Sequence, residues 1–361
     1  MRSTQITLGT RPPADLVGAI ITRDLSLHGE RWSKGRRLSA ADLDLIGAPR
    51  TAGDSGPRLR GLAVPDEAVD VTVLVLEAGD LHEDEAACRL AEAIAGEGLT
   101  LRGPAESRVD LVAAADGVVH VDVAALERFN RIDPLEAFTL FDGQIVREGD
   151  LVASVKVAPH VVAAATVVAG ERAVRGRPLV SVAPFRAARV GVLVKETLAA
   201  SARERFEKSV RLKVEGLGST IERIVYVEDD AASVQRALRS LTRRPSAVDL
   251  VLTAGGASTD PEDPFFVAVA GLGGRVVRRG VPAHPGSMLW LARVGHSVVL
   301  GLPSCGAYSK VTAADLLIPR LLSGDPPNAA TVARLGHGGV LTRDMRFRFP
   351  AYALSLEAPE G

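Results

Sequence analysis

Two hydrophobic patterns alternate along the second half of this chain. From Arg189 onward, the apolar runs RVGVLV, IERIVYV and VDLVLT are separated by segments whose apolar residues recur at helical spacing. Short apolar runs between turn residues predict buried strands, and spacings of three and four predict amphipathic helices. Phe206, Val210 and Val214 predict one such helix, with Glu204/Lys208 and Glu207/Arg211 as i,i+4 charge pairs on its outer side. Val234, Ala237, Leu238 and Leu241 predict the next. A further helix, a strand and a glycine turn lead to HSVVLGLP, and a last helix is expected near Lys310 to Leu322. This alternation predicts a mostly parallel sheet with helices on both faces, an α/β three-layer domain.

The front half has a different texture. VDVTVLVLEAGD (69–80) predicts a strand, and HEDEAACRLAEAIAGEG after it predicts a helix, because Ala87, Leu90, Ala91 and Ile94 share a face and the acids fall in the first turn. Residues 118–185 are Val-rich with Gly and Pro punctuation, which predicts a small strand-rich unit. The stretch Gly47 to Pro57 reads as a loop, and the Pro-led tail is expected to pack as short strands. The expected organisation is a mixed α/β N-terminal domain over 1–185, an α/β domain over 186–325 and a tail over 326–361.

Composition narrows the function. At 361 residues the chain suits two domains of about 100–200 residues each. With 43 basic and 44 acidic groups it lacks the cationic surplus of a general nucleic-acid binder, and aromatics at 4% are too sparse for base-stacking platforms. Residues 1–60 hold ten basic and six acidic groups whereas 66–85 hold eight acidic and none basic, which fits either a basic lobe facing an anion or two solvated faces. Cys88 and Cys305 lie far apart with no zinc-type spacing, so neither a disulfide framework nor a zinc knuckle is expected. The longest apolar run, Val161 to Ala169, falls well short of the roughly 20 residues of a membrane helix, and MRSTQITLGTRPP has no apolar signal core. A soluble protein of the reducing cytoplasm is expected.

Motifs remove the commoner chemistries first: GxxxxGK[ST], GxSxG, HExxH and a complete GxGxxG after a strand are all missing. His82-Glu83-Asp84-Glu85 offers metal-ligand types, but adjacent helical positions point different ways, and a helix start rich in acids accounts for them. The informative segment is VDLVLTAGGASTDPEDPFF, 248–266. An apolar strand delivers Gly255 and Gly256 to its carboxyl end, where a ligand can approach backbone. Ser258 and Thr259 add hydroxyls ahead of a helix whose first N–H groups favour an anion such as phosphate. Asp263 is a candidate for holding a divalent cation, and Asp260, Pro261 and Asp263 are equally candidates for N-cap, N1 and N3 of that helix. Two more glycine loops follow, His284-Pro285-Gly286-Ser287 and Leu302-Pro303-Ser304-Cys305-Gly306, and turns after 254 and 303 are expected to meet at one sheet edge.

Over about 186–325 these residues resemble the molybdopterin-binding domain family, shared by molybdopterin adenylyltransferases and molybdotransferases. TAGGASTDPEDPFF is similar to the family's Gly-Gly, Ser/Thr, acid loop, HPGSM to its Pro-Gly-Lys element, and GLPSCGAYSKV to its Gly-Leu-Pro-Gly-Asn-Pro loop. GAIITRDLSLHGERWSKGRRLSAADL and AGDLHEDEAACRLAEAI resemble the region before this domain in stand-alone bacterial members. The resemblance implies a molybdopterin site formed by Thr253, Gly255, Gly256, Ser258, Thr259, Pro285, Gly286, Ser287, Pro303, Ser304, Cys305 and Gly306. It implies magnesium at Asp263 and Asp260, Asp263 as the catalytic residue, and ATP or AMP as a further ligand. The implied role is molybdenum cofactor biosynthesis or delivery, with nucleotidyl transfer or molybdate insertion as the chemistry. A partner molybdoenzyme or cofactor-synthesis protein and a homo-oligomer are the associations it suggests. Ser287 stands where the family has Lys, and Ser304-Cys305-Gly306 where it has Gly-Asn-Pro, which removes groups that would stabilise charge on phosphate. A non-catalytic pterin carrier or sensor is therefore the competing expectation, and a pyridine-nucleotide hydrolase relative a third.

Overall fold

A computed structural model of the chain describes residues 1–51, 54, 69–196, 198–256, 258–302 and 310–356. Contacts divide the chain into two compact units, one of residues 1–112, 121–140 and 151–181, the other of 113–120, 141–150 and 182–361. Two short mid-chain segments thus fold with the second unit.

In the first unit, strand Asp70–Val75 pairs antiparallel with both Arg2–Thr7 and Ile20–Ile21 over a core that includes Ile6, Leu16, Trp32, Leu43 and Val73. The helix expected after this strand runs Glu83–Ile94 with Ala87, Leu90, Ala91 and Ile94 buried. His82 is its N-cap, the ring Nδ1 accepting from the Asp84 N–H at 3.2 Å, so the His-Glu-Asp-Glu run is a helix start. The Val-rich stretch is not all strand. Helices Val123–Asn130 and Ala164–Ala173 interrupt it. Asp122 caps the first, and Ala125 and Phe129, four apart, give it a buried face that strand alternation does not reveal. Gly170 in the second lies so close to Leu135 and Leu90 that a Cβ would stand 2.6 and 2.8 Å from their methyls, so this helix needs its smallest residue there.

The second unit is wound around one six-stranded sheet. In chain order its elements are β1 (Arg189–Val194), α1 (Ala200–Glu215), β2 (Thr220–Tyr226), α2 (Ala231–Thr242), β3 (Leu250–Ala254), α3 (Pro264–Gly271), β4 (Arg275–Arg279), β5 (Trp290–Val294), β6 (Ser297–Gly301) and α4 (Ala314–Ser323). The strand order is β2-β1-β3-β6-β5-β4. The pairs β2/β1, β1/β3 and β3/β6 are parallel, and β5 alone runs against its neighbours. Phe206, Val210 and Val214 of α1 pack with α4 against Val190, Val192, Leu250 and Leu252 on one face. Val234, Leu238 and Leu241 of α2 pack with Phe265 and Val269 of α3 against Leu193, Val251 and Val299 on the other. This is the three-layer α/β architecture expected from the sequence. Each large apolar side chain buried this way contributes roughly 1.5–3 kcal/mol.

Three local expectations are corrected. WLARV is a strand additional to the single one expected between α3 and HSVVLGLP, because a tight turn at Gly295 (φ +59°) folds β5 back on β6. The i,i+4 pairs on α1 are Arg203–Glu207 and Arg211–Glu215, since Glu207 also accepts from the Tyr226 hydroxyl at 3.0 Å. The described part of the tail is helical rather than stranded: Ala329–Ala333 is α5, three 3-10 turns follow, and Val332, Leu335, Phe349 and Tyr352 are buried in the α1/α4 side of the core. Among the described residues no helix is long and apolar enough to cross a membrane.

Candidate functional site

Strand order fixes where a ligand site can form. The chain passes from β1 to β2 on one side and then to β3 on the other, so the connections leave the carboxyl ends of β1 and β3 in opposite directions, the place where open α/β sheets form ligand sites. β1 leads into Lys195 and Glu196, and β3 into Gly255 and Gly256. The Lys195 N–H donates to the Ala254 carbonyl at 3.1 Å, which ties the two ends together. Gly255 makes this possible: its φ is +87°, and a Cβ would stand 2.9 Å from Glu196 Cβ and 3.2 Å from the Lys195 carbonyl carbon.

Lys195 is the residue the sequence did not single out. Its side chain is 4% exposed, yet it carries a charge held by two carboxylates, Asp229 Oδ1 at 2.5 Å and Asp263 Oδ2 at 3.1 Å. Burial pulls the ammonium's pKa down, but the bonds to Asp229 and Asp263 outweigh it and hold the value above the ordinary lysine range. The ammonium also lies 5.7 Å from the centroid of the Phe265 ring. The only sequence signal was a Lys placed directly after an apolar parallel strand, and its partners come from the ends of β2 and the start of α3.

The two aspartates are unlike. Asp230 caps α2 by accepting from Ser233 N–H at 2.8 Å, which leaves its neighbour Asp229 to reach Lys195 from a position that is 64% exposed. Asp263 is buried and is the N-cap of α3, its Oδ1 accepting from Phe265 N–H at 2.9 Å, with Pro264 at N1. The helix therefore starts three residues later than the reading that made Asp260 the cap and Asp263 N3. Asp260 shapes the preceding turn, accepting from Glu262 N–H at 2.9 Å. With Oδ1 on a backbone amide and Oδ2 on an ammonium, Asp263 and its neighbours do not fit magnesium, and among the described residues no group of three His, Cys, Asp or Glu is placed to hold a metal.

The other candidates divide. Thr253 is 1% exposed on β3, paired with Leu193 and Gly301, and its Oγ1 has no hydrogen-bond partner. Gly256 faces inward, where a Cβ would meet Phe265 at 3.1 Å, so it serves packing under the loop. Ser258 is half-buried and Thr259 exposed in the turn before α3. Pro285, Gly286 and Ser287 lie between β4 and β5, at the same sheet edge by topology. They are tied to the approach to α4: Ala313 N–H donates to the Pro285 carbonyl at 2.9 Å, and a Cβ on Gly286 (φ +106°) would stand 2.8 Å from Ala313 N. Pro303, Ser304, Cys305 and Gly306 lie outside the described residues.

Fold and edge together define a class: a doubly wound α/β domain whose strand order reverses between β1 and β3. Residues 193–323 match the family model described as a probable molybdopterin binding domain. Similar solved structures include molybdenum cofactor biosynthesis protein B, at 18% identity over 42% of this chain and 93% of that one, with a TM-score of 0.25. The molybdopterin biosynthesis moea protein from Pyrococcus horikosii is 16% identical over 67% and 79% of the two chains, at a TM-score of 0.29. A molybdopterin biosynthesis protein from Mycobacterium abscessus is 17% identical over 43% and 100%, at 0.26. TM-scores this low add nothing to the geometry above. No curated protein matches the chain.

Proposed function

We propose that the second unit binds a phosphate-bearing pterin of the molybdopterin kind at the β1–β3 edge, in molybdenum cofactor biosynthesis or delivery. The observation that carries this reading is a buried cation, Lys195, at the reversal of strand order inside the family-matched segment 193–323. Gly255 lets the ends of β1 and β3 pack closely, which holds Lys195 at this edge, and the lysine suits the ligand's phosphate. Ser258, Thr259 and the 285–287 turn lie along the same edge for the rest of the ligand.

In this reading the chain is a binder before it is an efficient transferase. Lys195 is matched by two carboxylates, so the trio carries one net negative charge, whereas phosphoryl transfer needs positive charge aimed where negative charge develops. Ser287 in place of a lysine acts in the same direction. Purified protein assayed for adenylyl transfer and for molybdate-dependent cleavage of the adenylylated pterin should bind pterin and turn over poorly. Combined Ser304→Gly, Cys305→Asn and Gly306→Pro should raise turnover. Robust turnover by the unmodified protein would overturn the carrier reading.

A further inference from the structure

We propose that Asp229 is an internal competitor for the ligand's anion: it holds Lys195 in the free protein and gives way to a dianionic phosphate when ligand binds. This rests on the reading that the β1–β3 edge is the ligand site. Lys195 faces two carboxylates of opposite character. Asp263 is 3% exposed and is fixed by its N-cap bond, so removing it would strand a buried charge. Asp229 is 64% exposed on the connection between β2 and α2, so it can return its carboxylate to water at little cost. A phosphomonoester that takes its place brings nearly two charges where one left.

A second observation at the same place points to a ligand. The Thr253 hydroxyl is fully buried and unpartnered, a state that costs about 1–3 kcal/mol when nothing offsets it. Parallel register puts Thr253 beside Leu193, and alternation along β1 puts Lys195 on the same sheet face as Leu193. The orphan hydroxyl and the ammonium therefore share one face of β1 and β3.

The test is calorimetric titration of the full chain with inorganic phosphate and, separately, with AMP as a phosphomonoester, at constant chloride. Asp229→Asn should bind phosphate about two- to fivefold more tightly than wild type, the size carried by an ion pair with one exposed partner. Lys195→Met should bind at least about tenfold more weakly. Lys195→Arg, which keeps the charge, covers the case in which the methionine variant does not fold, and it should retain binding. Equal or weaker binding by Asp229→Asn, unchanged binding by Lys195→Met, or no phosphate binding by any of the proteins would overturn the proposal. Acid-released pterin from the same preparations separates the two readings. Pterin recovered with no effect of Asp229→Asn sinks the competitor alone, whereas the phosphate pattern without any pterin sinks the pterin reading alone.

Discussion

Gly255 shows how much one residue can constrain at the β1–β3 edge. Its positive φ and the 2.9 Å approach to Glu196 leave no place for a side chain. Gly255→Ala should therefore cost about 1–3 kcal/mol in denaturant unfolding and weaken ligand binding together. Gly256→Val should act differently, pressing on Phe265 and lowering stability through the core. Asp263→Asn keeps a capping side chain but loses the ion pair, so it should destabilise by about 2–4 kcal/mol rather than the ~1 kcal/mol of a lost cap. In a Lys195→Met background the same substitution should cost much less, and equal costs in both backgrounds would show the pair to be uncoupled. The glycine turn after β3 was legible in sequence because turn chemistry is local, but the cap was placed at Asp260, three residues before the Asp263 that caps α3. Lys195 was not legible, because its partner Asp229 lies 34 residues away and only strand order brings them together.

At the scale of elements, helices and strands with a one-sided apolar stripe were legible, and those whose burial comes from elsewhere were not. α2 could be read from Val234, Leu238 and Leu241 alone. The tail could not, because its 3-10 turns are held by contacts with α1 and α4 that no local period encodes. The clearest such contact is Tyr352, whose hydroxyl donates to Asp315 Oδ1 at 3.0 Å while Lys213 of α1 pairs with the same oxygen. Tyr352→Phe should lower stability by about 1–2 kcal/mol in thermal or denaturant unfolding. Burial, and then the Asp315 charge, hold the Tyr352 phenol well above its ordinary value of 10.0. The stability tied to it is therefore fully present below pH 10 and lost as pH rises further, since only the unfolded chain then releases the proton freely. Tyr226, pushed up to about 12 by burial and by Glu207, adds to the same alkaline limb. Wild type should lose stability steeply above pH 10, and Tyr352→Phe should show a shallower fall. Parallel profiles would contradict this.

At the scale of the whole molecule, the second unit recruits chain from the middle of the sequence. Arg320, with a side chain 3% exposed, donates to Asp142 Oδ2 at 2.9 Å and Asp325 Oδ2 at 3.1 Å, and Asp142 belongs to the mid-chain segment 141–150. Periodicity marked 186 as a start, but it carries no signal for a segment some 40 residues upstream that folds into the same unit. A fragment beginning at 186 should therefore unfold at lower denaturant than the full chain, and Asp142→Ala in the full chain should reproduce about 1–3 kcal/mol of that loss. The central claim, that this unit holds a molybdopterin-type pterin at the β1–β3 edge, is tested most directly by acid oxidation of the full chain purified from a molybdenum-competent host. The account predicts a fluorescent oxidised pterin released in near-stoichiometric amount from wild type and strongly reduced in folded Gly255→Ala and Lys195→Met. Wild type without pterin, or folded variants that retain it in full, would contradict the account.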